Sequence, residues 1–156
     1  MEQNTEQTAL LPITRDHQMG RLGCWRIKEG IVRDVEPERI CNYLQHFWVH
    51  FLEPHFSQEE RFLFQDRKDG RVAAALKEHA ELRSMVQTIL DAEHPSLEQL
   101  ADFIITLDSH IQFEERLLFP YLQLRLRTGP SHALEAFKGS ISLMPPGDFN
   151  YEFWLA

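Results

Sequence analysis

Only two cysteines, Cys24 and Cys41, occur in the 156 residues. That is too few for a disulfide framework, so reduced thiols and a cytoplasmic setting are the expectation. No stretch rich in lysine and arginine stands out, and the formal net charge is -8. This argues against a nucleic-acid partner and against a basic membrane-binding helix. No uninterrupted apolar run approaches membrane-spanning length. The opening MEQNTEQTALLPITRD lacks a basic region followed by an apolar core, so no secretion signal is expected. No segment sustains the alternation of a half-buried strand.

What remains is helical periodicity. Thr14 can cap a first helix with Asp16 in its first turn, running to about Val32 because Gly30 lies close to its end. Pro37 suits the first turn of a second helix, which carries Phe47, Phe51, Leu52, Phe56 and Leu63 at helical spacing to about Asp66. Asp69-Gly70 breaks it, and a third helix covers roughly residues 71–92. Ser96 with Gln99 forms a capping-box pattern that opens a fourth helix, reaching about Arg127. Pro120 predicts a kink inside it. Short connections imply antiparallel neighbours, hence an all-α, antiparallel up-down-up-down four-helix bundle. The expected organisation is a flexible arm over 1–12, the bundle over 13–138 with a short extra helix at 131–138, and an aromatic tail over 139–156 packed on it.

One motif occurs twice. Residues 55–65 read HFSQEERFLFQ and residues 110–120 read HIQFEERLLFP. His and Glu four apart share a helix face about 5–6 Å apart, close enough to hold one metal ion. In antiparallel neighbours, residues equally far from the connecting turn lie level. By that arithmetic His17, His55, His79 and His110, one per helix, fall in a single layer to within roughly a turn. Apolar neighbours turn all but His17 inward, and buried polar groups need partners, which a metal supplies. Imidazole with carboxylate suits iron, and less often manganese or zinc.

The doubled HxxxE, with EHAEL between the copies and DHQ upstream, resembles the hemerythrin-like (HHE cation-binding) domains over roughly residues 14–127. The resemblance implies a four-helix bundle with a non-haem di-iron centre: two iron ions, oxo- or hydroxo-bridged. It implies His17, His55, Glu59, His79, His110 and Glu114 as ligands, with Glu59 and Glu114 bridging and two histidines on each ion. Oxygen-carrying relatives place a second histidine one turn from the third-helix ligand, where this chain has Ala75 and Arg83. They also use an Asp five residues after the last histidine, where this chain has Glu114 at four.

Those departures favour sensing, redox chemistry or iron handling over reversible oxygen carriage. The expected partner is a small oxidant or gas ligand such as O2, peroxide or NO, whether in an enzyme, a sensor or a storage protein. The alternative is a non-catalytic, iron-responsive module whose folding depends on metal. Glu60 and Glu115 are expected as solvated carboxylates paired with Arg61 or Arg116, although either can also orient a ligand histidine. His46 and His50 are expected at the surface or at a subunit contact, which leaves a homodimer open. Cys24 is expected as a small buried hydrophobe.

Overall fold

The computed structural model describes residues 11–126, 149 and 152–155. Four helical rods carry them, with no strand among the described residues. The first rod is α1 (Leu11–Val32). The second joins α2 (Pro37–Phe47), a π-helical turn (Trp48–Leu52) and α3 (Glu53–Phe62). The third is α4 (Gly70–Asp91), and the fourth joins α5 (Leu97–Phe113), a second π turn (Glu114–Leu118) and α6 (Phe119–Leu126). A short 3-10 turn covers Phe153–Leu155. Among the described residues no helix is long and apolar enough to cross a membrane.

Local chemistry sets the ends. Asp69 caps α4 by accepting from the backbone N–H groups of Arg71 (2.8 Å) and Val72 (3.2 Å). Ser96 and Gln99 form the expected reciprocal capping box at α5. Thr14, expected as a cap, lies instead inside α1, which begins at Leu11. α1 ends at Val32, as expected. The left-handed residue is Asp34 (φ 53°), and the Val35 N–H closes back onto the Gly30 carbonyl at 3.0 Å. Aspartate tolerates that conformation better than most residues. The absence of a side chain on Gly30 serves packing: a Cβ there would come within 2.7 Å of the Phe153 ring.

Two prolines explain the π turns. Pro54 and Pro120 each follow the end of one by two residues. Each lacks an N–H, and its ring would collide with the carbonyl four residues back, so a widened turn relieves the conflict. The disruption expected around Pro120 is therefore a π turn just before it. Rod two stops at Phe62 rather than near Asp66, because the Leu63 and Phe64 N–H groups both bond the Glu59 carbonyl (2.8 and 2.9 Å). At the equivalent place in the second motif copy, the Phe119 N–H bonds the Glu114 carbonyl.

Apolar side chains gather into two cores. The larger includes Ile27, Leu44, Phe51, Phe56, Leu82, Phe103 and Leu107, with Phe153 and Trp154 packed into it. Rods one and two press together within it, since a Cβ on Gly23 would overlap the Phe47 ring at 2.2 Å. The smaller core contains Ile13, Leu63, Phe64, Val72, Leu118 and Phe119. On every rod the histidines and glutamates of interest fall in sequence between members of the two cores. Of the arm expected over residues 1–12, Leu11 and Pro12 belong to α1, and residues 1–10, the helix expected at 131–138 and most of the tail lie outside the described residues.

Candidate metal centre

Six side chains meet in that layer: His17 from α1, His55 and Glu59 from α3, His79 from α4, His110 from α5, and Glu114 from the first position of the second π turn. All six are buried. They form two overlapping sets, His17–His55–Glu59–Glu114 and Glu59–His79–His110–Glu114. Within each set one donor atom per residue lies within 4.8 Å of the others. Glu59 and Glu114 belong to both. Each set holds two histidines.

The ring nitrogens are sorted by face. Each Nδ1 meets a carboxylate outside the cluster: Glu115 for His17 (3.0 Å), Asp16 for His55 (2.7 Å), Glu60 for His79 (2.9 Å) and Glu78 for His110 (2.8 Å). A neutral imidazole that donates from Nδ1 has only a lone pair at Nε2. The Nε2 atoms of His79 and His110 stand 3.1 Å apart. The His55 Nε2 lies 2.9 Å from Glu59 Oε1, and the His17 Nε2 lies 3.2 Å from Glu114 Oε2. Glu114 Oε1 also contacts His110 Nε2. Neither Glu59 oxygen, nor Glu114 Oε1, accepts a hydrogen bond. Lone pairs and carboxylates that converge without donors repel one another, and cations at the centre resolve the conflict. The donor set fits a metal.

Without metal, protons take that place. Burial works to lower the His55 pKa, but the charge of Glu59 and the bond to Asp16 outweigh it and push it up to about 10. Burial likewise opposes charge on His79 and His110. Glu114, Glu59 and Glu60 nevertheless raise His79 to about 11, and Glu114 with Glu78 raises His110 to about 9. Burial favours the neutral acid at Glu114, yet His110, Glu59 and His17 hold its pKa well below the ordinary carboxylate value. Metal binding at such a site displaces protons.

A family model for the hemerythrin HHE cation binding domain matches residues 13–122. The chain belongs to that hemerythrin family. Searches of curated proteins and of solved structures found no match. Around the six residues this hemerythrin-family chain carries an outer ring that sequence reasoning largely missed. Asp16 is buried on His55 rather than serving only the helix dipole. Glu60 and Glu115, expected as solvated partners of Arg61 and Arg116, instead orient His79 and His17. Their arginine partners are Arg83 (2.7 Å to Glu60) and Arg21 (two bonds of 2.8 Å to Glu115). Carboxylates of this kind fix the tautomer and raise the basicity of a metal-bound histidine.

A signal for them did exist. Asp16-His17 with Arg21, and Glu78-His79 with Arg83, repeat an acidic-His-x-x-x-Arg pattern on α1 and α4. Combined with the doubled HxxxEE on rods two and four, it makes the site close to two-fold symmetric. Asp16 on His55 matches Glu78 on His110, and Glu115 on His17 matches Glu60 on His79. His46 is half-buried and His50 exposed, with their rings 4.8 Å apart and outside both sets.

Proposed function

We propose that this protein is an up-down-up-down bundle holding two iron ions and that it binds or reacts with a small oxidant such as O2, peroxide or NO. His17 and His55 serve one ion, His79 and His110 the other, and Glu59 and Glu114 are shared. The observation that carries this reading is the pair of buried four-residue sets with two carboxylates in common. The contacts of rod one with rod four support the antiparallel course: His17 meets Glu114, Gly20 faces Ile111 and the Cys24 thiol points at the Ile104 carbonyl. Imidazole and carboxylate donors without thiolate favour iron over a structural zinc. Free thiols at Cys24 and Cys41 suit a cytoplasmic setting.

Bound there, iron would supply redox and Lewis-acid chemistry toward a small molecule. The chain supplies the rest. Outer carboxylates hold each imidazole with Nε2 inward, while Phe51 stacks parallel to His55 and Phe56 to His79, drying the layer. A cavity of about 10 Å³ touches His17, His55 and His110, room for one water-sized molecule.

Elemental analysis of protein purified without added metal tests the reading, followed by absorption spectra on exposure to air and to peroxide. Two irons per chain, with ferric charge-transfer bands that respond to oxidant, are the expected result. A spectrally silent zinc content would end it. His55→Ala and His110→Ala should each lower bound metal and destabilise the fold by about 3–5 kcal/mol, since each leaves buried carboxylates without a counter-charge. Full metal content in either variant would remove that residue from the ligand set. A second reading, a non-catalytic iron-responsive module, draws support from the position of the site between two apolar cores.

A further inference from the structure

The two halves of the site share one chemistry but differ in how firmly they are held. On the α4 side, the Arg83 guanidinium forks across two carboxylates. Its Nη1 bonds Glu60, the acceptor of His79, at 2.7 Å, while Nε and Nη2 bond Glu53 at 2.9 Å each. On the α1 side, Arg21 bonds Glu115 alone. Asp108, which stands where Glu53 would by symmetry, bonds Gln112 at 2.7 Å and no fork to Arg21 forms. The Arg21–Glu115 pair is also the more open, at 41% and 37% side-chain exposure against 32% and 22% for Arg83–Glu60.

Packing follows the same asymmetry. Phe56 stacks on His79 at 4.0 Å and 11°, whereas Phe51 lies over His55 at 5.9 Å; Phe64 on His79 (5.6 Å) and Phe119 on His17 (5.5 Å) are alike in the two halves. Three residues beyond His79 stands Leu82, fully buried. Three beyond His17 stands Gly20, which borders the small cavity together with His17, His55 and His110. Arg21 grips Glu115 in a bidentate pair that is open to solvent and so screened, whereas Arg83 ties the two rod-two carboxylates Glu53 and Glu60 to each other. A ligand set held in place before binding loses less on ordering when the ion arrives.

We propose that the protein loads its ions in order: the His79–His110 half first and firmly, the His17–His55 half second and exchangeably. Arg83 and Arg21 are the positioning residues that set the difference, each acting through a glutamate on a histidine. The inference rests on the two-ion reading above. Losing an outer partner of a metal ligand typically weakens binding by about 10–100-fold, so each arginine should govern its own step.

The test is a titration of metal-free protein with Co(II), followed by equilibrium dialysis for stoichiometry and by the visible d–d bands for environment. Two steps separated by about tenfold or more are expected. Arg83→Gln should weaken the first step and shift the spectrum of the first-bound ion. Arg21→Gln should weaken the second step and leave the first spectrum unchanged. Should Arg83→Gln fail to fold by circular dichroism, Glu53→Gln removes the fork but keeps the Arg83–Glu60 bond, and it should weaken the first step alone. Two ions entering in one unresolved step, or Arg21→Gln altering the first step, would overturn the order while leaving the two-ion site intact. Uptake of one ion or none by the unmodified protein would overturn the two-ion reading itself.

Discussion

Neither thiol is placed to act as a nucleophile. Burial, with Asp108 adding to it against Arg21, pushes the Cys24 thiol up to about 12. Burial and then Glu38 push Cys41 up to about 11. Both departures from the ordinary value of 9.0 disfavour the thiolate, the form that reacts. At pH 9 the folded protein should therefore react with iodoacetamide roughly 100-fold more slowly than the urea-unfolded chain, read per cysteine by mass spectrometry. The sign of the linkage is fixed by the raised values. Stability from the neutral thiols is fully present below pH 9 and is lost as pH climbs toward 11–12. Alkylation of Cys24 at the unfolded rate would show that its thiol is open to solvent. Residue by residue, the chain was most legible where chemistry is rare and periodic: the four histidines that helix arithmetic put at one level lie together, buried with Glu59 and Glu114. It was least legible at Asp16, Glu60, Glu78 and Glu115. Acidic residues are common on helix surfaces, and only the three-dimensional approach of a second helix turns one into a histidine acceptor.

At the scale of the element, the Ser96–Gln99 capping box read well, while the Thr14 cap and the irregular turns did not. Ser96 and Gln99 meet a purely local requirement, and Asp69, expected only to break the second helix, also caps the third rod. Asp69 goes further, since its carboxylate also takes the Tyr121 hydroxyl and Arg125 at 2.7 Å, tying the start of α4 to α6. Asp69→Ala should cost about 1–2 kcal/mol, measured as a fall in the urea midpoint, while Asp69→Asn, a good cap without the charge, should cost less. Equal losses would place the stabilisation in the ionic contacts rather than in the cap. The π turns and the early end of rod two escaped the sequence because an amide that skips to the fifth carbonyl leaves no mark on apolar periodicity. Proline alone says only that something must give. Before Pro120 it gives at Glu114, beside a shared carboxylate, and before Pro54 it gives at Trp48–Leu52, one turn ahead of His55; such turns are frequent at functional sites.

For the whole molecule the decisive arrangement is a polar layer between two unequal apolar cores. The larger core is closed by rings from Tyr43, Phe153 and Trp154, away from the layer. The smaller one, around Phe64, Val72, Leu118 and Phe119, is joined to it through the same rods that carry His17, Glu59, His79 and Glu114. Without metal, the layer retains charged and lone-pair groups crowded within a few ångströms, held only by protons. The weaker side should then open first, because local stability follows buried apolar contact. Chelating the metal should thus speed amide hydrogen exchange at Ile13, Phe64, Val72, Ala75, Leu118 and Phe119. Protection should persist at Ile27, Leu44, Leu82, Phe103 and Leu107, and far-UV circular dichroism should fall only in part. Loss of protection across both cores would favour the iron-responsive module, for which metal and fold are one equilibrium. Unchanged protection throughout would mean that the protein backbone holds the layer by itself, leaving the bound metal free to serve chemistry alone.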